Sequence, residues 1–159
     1  GTVTKTDEEI TNMTGDSSND LTAYKYELKG NSSFEQNITS SRENGTTFFE
    51  QTLNLTLTKL TKEDNKEIRL LAAARPHIAV EDYNGNVFMM GLEHGCEVTG
   101  GTISTGAAMG DASAYTLTFG ANEREVANFI NVDITSGDFP FSQMAGLSGT
   151  ITITEGSNT

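Results

Sequence analysis

Ile78-Ala79-Val80-Glu81-Asp82-Tyr83, then Asn84-Gly85, then Val87-Phe88-Met89-Met90: this stretch decides the fold class. Its flanks are β-branched, aromatic and apolar, and Asn-Gly is the dipeptide that supplies the two positive-φ positions of a type I′ turn. The segment therefore predicts a two-residue β-hairpin whose strands end near Tyr83 and resume near Asn86. Downstream, Gly91, Gly95, Gly100, Gly101, Gly106 and Gly110 mark bends between short strands, and Ala114-Tyr115-Thr116-Leu117-Thr118-Phe119 alternates with period two.

Working outward toward the N-terminus, Thr61 to Ala74 changes period. Thr61 is a capping residue, Glu63 and Asp64 suit the first turn, and Ile68, Leu71 and Ala72 follow an i, i+3, i+4 stripe. One amphipathic helix is expected near 61–75, ended by Pro76, which disfavours helical geometry at Arg75. Before it, Phe49, Leu53, Leu55 and Leu57 share one face of a long strand and Asn54, Thr56 and Thr58 the other. Asn44-Gly45 predicts the tip of a hairpin that joins this strand to a weaker one at Ser33 to Thr39. Leu21 to Lys29 alternates as a half-buried strand, with Tyr24, Tyr26 and Leu28 facing inward. Residues 1–20 are polar and predict an N-terminal arm, so the expected division is that arm plus a single β-rich domain over 21–159. On the C-terminal side, Asn122 to Ile130 is read as a short second helix, followed by a loop through Gly137, Pro140 and Gly146 and a final strand in Gly149 to Thr154.

Composition agrees with a β-rich class: Thr, Ser, Asn and Gly are abundant, proline occurs twice and tryptophan is absent. A chain of 159 residues can bury a core without disulfide staples, and Cys96 is its one cysteine. The formal net charge of -12 argues against neutralising nucleic-acid phosphates or sitting on an anionic membrane. Nothing resembles a signal peptide or a long apolar span, and a start at Gly1 rather than Met leaves room for a removed leader.

Chemical constellations compete here with plainer readings. Asp82, Asn84, Asn86 and Glu93 match four positions of a calcium loop, but Val87 stands where that loop needs glycine and the flanks read as strands. His94 and Cys96, with Glu93 and Glu97 beside them, offer zinc-type ligands, although alternate residues of a strand do not converge as a tetrahedral site does. A Cys-His nucleophile lacks any orienting third group, and a lone buried cysteine is usually a small hydrophobe. Gly100 to Gly110 lacks the Lys and the following helix of a phosphate loop. Met89-Met90 reads as core filling, and five Asn-x-Ser/Thr triplets, beginning at Asn12, Asn31, Asn37, Asn44 and Asn54, follow from composition. No residue is assigned to catalysis, to a cofactor or to a metal. Asn84 and Gly85 are singled out as a structural turn, and either the arm 1–20 or the hairpin around Asn44 and Gly45, the candidate assembly hairpin, is expected to order on assembly and make contacts between subunits.

An order of elements then emerges. The aliphatic strand, Glu81-Asp82-Tyr83-Asn84-Gly85-Asn86, an apolar strand ending in Gly91, Val98-Thr99-Gly100, Gly106, Gly110-Asp111, Tyr115-Thr116-Leu117-Thr118-Phe119 and Glu123 resemble structural tail proteins of tailed bacteriophages, nearest to tail-tube proteins. The resemblance covers about residues 76 to 130, and the strands, long hairpin and helix before it follow a similar order. It implies a β-sandwich or barrel-like domain with one flanking helix, no enzymatic activity and no cofactor. It also implies homo-oligomeric rings that stack into a tube, contacts with other tail or neck proteins, DNA passing without tight binding, and a place in the virion tail after assembly in the host cytoplasm. Ring closure covers exposed sheet edges, and an acidic wall does not trap a duplex. Alternative readings are a head-tail connector or neck ring, a head-decoration protein, or an extracellular adhesin or pilin-like binding module.

Overall fold

Strand β5, Thr46–Thr58, is the longest element, and its alternation sets the sheet around it. The computed structural model describes residues 2–14, 21–28, 31–58, 62–109, 111, 113–131 and 151–155. Among them the order is β1 (Thr2–Thr6), β2 (Glu9–Thr14), β3 (Leu21–Lys25), β4 (Ser33–Ser41), β5, α1 (Lys62–Ala73), β6 (Ile78–Glu81), β7 (Val87–Met90), β8 (Glu97–Ser104), β9 (Ala114–Glu123), β10 (Asn128–Ile130) and β11 (Ile151–Glu155). Among the described residues the protein is mainly β with one helix, as expected, and no sheet closes into a barrel. No helix among the described residues is long and apolar enough to cross a membrane.

The elements group into two compact units. One is built on β1, β2, β3, β10, β11 and most of the β6–β7 hairpin; the other on β4, β5, α1, β8 and β9. The division is hard to read from sequence because both units are discontinuous, so no linker marks it.

In the second unit the sheet order is β4-β5-β9-β8, all antiparallel. Leu53 and Leu57 of β5 and Tyr115, Leu117, Phe119 and Ala121 of β9 are buried on one face. Their spacing of two residues places them on the same side, and each fully buried large side chain contributes about 1.5–3 kcal/mol. Helix α1 is fixed to this sheet by the Tyr115 hydroxyl, which donates to Asn65 Oδ1 at 2.9 Å. Of the expected apolar stripe, Ile68 and Leu71 are half-buried and Ala72 is exposed. Thr61 and the loop through Gly137, Pro140 and Gly146 lie outside the described residues, as do the side chains of β11.

The first unit holds a five-stranded sheet, β1-β2-β10-β7-β6, and the parallel pair β3 with β11. Here the structure corrects the expected arm. Residues 2–14 form the antiparallel β1–β2 hairpin, and Ile10 is fully buried in register with Ile130. Thr6 pairs with Glu9 across two residues that both have positive φ, Asp7 at 50° and Glu8 at 65°. That is the backbone of a type I′ turn, built from residues that pay steric strain for it and so leave no Asn-Gly signature. Residues 15–20 lie outside the described residues.

The Asn84-Gly85 hairpin forms, with a different turn. Gly85 has φ 84°, but Asn84 is not in the positive-φ region. Gly85 N–H donates to Asp82 C=O at 3.1 Å and Asp82 N–H to Asn86 C=O at 2.9 Å, giving a three-residue loop, a type I turn followed by a left-handed glycine. The Asp82 carboxylate selects it by accepting the N–H groups of Asn84 and Asn86 at 2.8 and 2.9 Å. The Asn44-Gly45 tip is likewise a longer loop, 42–45, with Gly45 at φ 62°. β4 and β5 pair from Ser33↔Asn54 to Ser41↔Thr46 on either side of this tip.

Two more expectations are corrected. Asn122 to Ile130 is not helical: β9 runs through Glu123, and Asn128–Ile130 is β10, paired with β7 and β2. Strand β3 stops at Lys25, and Tyr24 is exposed rather than inward.

Two measurements check the turns. Replacing Asp7-Glu8 by Asn-Gly removes left-handed strain of about 1 kcal/mol per residue, offset in part by glycine's unfolded-state entropy, so Asp7→Asn/Glu8→Gly should raise the thermal midpoint. For Asp82, the hydrogen bonds from Asn86 hold its carboxyl below the usual carboxylate value of 3.8, so its stabilisation is present above that pH and fades as pH falls through the lower, folded value. The melting gap between wild type and Asp82→Ala should therefore be full at pH 7 and close as the solution is acidified below about 3.8.

Candidate functional site

The buried face of the β5–β9 sheet contains two polar interruptions. Gln51 stands in the row of Leu53 and Leu57, and Glu123 in the row of Phe119 and Ala121, with relative exposures of 1% and 3%. Their strands place them as diagonal neighbours, since Gln51 pairs with Ala121 and Phe49 with Glu123. Both reach the loop that follows β7, Gly91-Leu92-Glu93-His94-Gly95-Cys96.

The loop folds tightly because its glycines permit it. Gly91 and Gly95 have φ of 68° and 76°, and a Cβ on Gly91 would lie 2.6 Å from Cys96 Sγ. A loop pressed against a sheet must find acceptors for its N–H groups. Gln51 Oε1 accepts from Gly91 at 3.0 Å. The Glu123 carboxylate accepts the N–H of His94 at 3.0 Å on Oε1 and that of Glu93 at 3.2 and 3.3 Å on its two oxygens. His77 Nδ1 lies 2.6 Å from the Gly91 carbonyl, and Cys96 N–H donates to Pro76 C=O at 2.8 Å.

On the outer side of this clasp, His94 Nδ1 is 3.2 Å from Glu123 Oε2, and the Glu93 carboxylate completes a cluster whose ligand atoms lie within 4.8 Å of one another. His94 and Glu93 are exposed while Glu123 is buried. The residues weighed from sequence as zinc-type ligands are therefore regrouped. Glu93 and His94 come together with Glu123, whereas Glu97 turns to Arg75 at 2.6 Å and Cys96 is enclosed. Burial pushes the Cys96 thiol up to about 12, so at neutral pH it is neither a nucleophile nor a thiolate ligand. The calcium-loop positions do not converge, because the Asp82 carboxylate is occupied by the N–H groups of Asn84 and Asn86 and by Asn86 Nδ2 at 3.0 Å.

Gln51, Glu123 and His77 were not found from sequence as site residues. For the first two the signal was present: a polar residue in phase with an apolar row is either an error of register or a buried polar pin. No known protein family, curated protein or solved structure matches this chain.

Removing the pins should cost what an orphaned buried donor costs. Gln51→Leu leaves the Gly91 N–H without an acceptor and should lower the unfolding free energy by about 1–3 kcal/mol. Glu123→Leu orphans two N–H groups and should cost more. Urea melts with unchanged slopes would report both.

Proposed function

We propose that this chain is a structural subunit of a tailed bacteriophage virion, assembling into homo-oligomeric rings that stack into a tail tube through which DNA passes. The reading rests on the order of elements that resembles tail-tube proteins, and one observation supports it most: the polar face of the β4-β5-β9-β8 sheet. Its cross-strand rows include Ser33, Asn54 and Thr118, then Thr56, Thr116 and Thr102, then Asn37, Glu50 and Asn122. No Lys or Arg stands in the rows that cross β5 and β9; the charges on this face are Glu35, Glu50 and Glu97, and Glu97 is paired with Arg75 at 2.6 Å. Such a surface is hydrated and net acidic, and Arg75 at its rim is engaged by Glu97. Repulsion acts over a Debye length of about 8 Å at physiological salt, enough to centre a duplex in a pore only modestly wider than itself.

The sheet also ends on both sides in strands, β4 and β8, with no further neighbour among the described residues. Open edges invite pairing with another chain, and a closed ring covers them all. The β4–β5 hairpin extends past the end of β9, with Ile38 69% and Phe48 37% exposed. It offers apolar contact area for a neighbouring subunit.

Electron microscopy of the purified protein over a range of concentrations should show rings and stacked tubes. Isolated rings alone would favour a neck component, and a monodisperse monomer at every concentration would overturn the reading. Duplex DNA titrated into the assembled protein at low salt should not bind measurably, and tight, salt-sensitive binding would overturn the conduit.

A further inference from the structure

We propose that Glu93, His94 and Glu123 form a binding site for one borderline divalent cation, of which Zn²⁺ is the type. The argument starts from the ligand edge. Two ligands at about 2.0–2.1 Å from a tetrahedral ion stand about 3.3 Å apart. His94 Nδ1 and Glu123 Oε2 are 3.2 Å apart, so an ion can take the place of the direct contact with little movement of either side chain. The Glu93 carboxylate, within 4.8 Å of both and exposed, needs only a side-chain rotation to supply a third ligand. The fourth position faces solvent and falls to water.

The surroundings of Glu123 orient it for this role. Oε1 takes the shorter hydrogen bonds, from His94 N–H at 3.0 Å and Glu93 N–H at 3.2 Å. That leaves Oε2, held only by the longer 3.3 Å contact from Glu93 N–H, turned toward the imidazole. A carboxylate fixed by hydrogen bonds from behind is the outer-shell arrangement that makes a metal ligand rigid. One imidazole nitrogen with two carboxylates suits zinc and its neighbours over calcium or magnesium, which take oxygen ligands in larger number. Neighbouring chemistry does not compete: Cys96 is enclosed, and Glu97 is paired with Arg75.

The consequence is a clamp. An ion here joins two successive residues of the loop after β7 to the end of β9, the same two pieces of chain that Glu123 already joins through backbone N–H groups.

The test uses chelator-treated full-length protein and zinc chloride. Calorimetry should find one ion per chain bound in preference to magnesium, with a matching rise in melting temperature. His94→Ala keeps the backbone N–H bond to Glu123 and removes an exposed side chain, so it should fold as the wild type does by circular dichroism while losing zinc affinity by about tenfold or more. Glu93→Gln should weaken binding in the same direction. Absence of zinc binding by the wild-type protein, or zinc binding unchanged in His94→Ala, would overturn the site, the second result assigning the ions to the general acidic surface.

Discussion

A buried loop must satisfy its own backbone, and in this protein that requirement falls on two side chains. Gln51 and Glu123 carry acceptors from the end of the β5–β9 ladder to the N–H groups of the loop after β7. Without them, the tight path through Gly91 and Gly95 would bury donors that water can no longer reach, and β8 would lose the turn that brings it back beside β9. The apolar rows give the sheet its stability. The polar pins decide where the connecting chain lies on it.

The two faces of that sheet are chemically separate. One packs leucine, phenylalanine and tyrosine around the pins, and the other presents threonine, serine and asparagine with occasional glutamate. Strand alternation alone produces this division, since each residue of β5 and β9 must choose a side. The proposed conduit uses the outer face and the proposed cation site lies at the end of the inner one, so either can hold without the other.

Much of this was legible in advance. Period-two alternation located β5 and β9, the change to a helical period located α1, and Asn84-Gly85 located a turn. Turn type was not legible, because it depends on where the Asp82 carboxylate points, a choice that dipeptide preference does not contain. The β1–β2 hairpin was missed because its strands are polar, its turn residues are poor left-handed formers, and its buried anchor, Ile10, is a single residue. Glu123 misled the reading of 122–130 as a helix: an acid after a strand looks like a helix start until its burial is known. The cluster with Glu93 and His94 joins two strand ends through the sheet register, and local spacing carries no trace of it.

The placement of Gln51 has a further consequence for fidelity of pairing. Apolar rows alone tolerate a two-residue slide of β5 along β9, since Leu53 and Leu55 would still face apolar residues of β9. A one-residue slide would turn Leu53 and Leu57 to water at about 1.5–3 kcal/mol each, and a two-residue slide would leave them inside but withdraw Gln51 from Gly91 and move Glu123 off its opposite partner, Phe49. The even slide is the one that hydrophobicity cannot detect. A single amide set into the row makes it visible, so that the sheet is locked in register by a buried polar side chain.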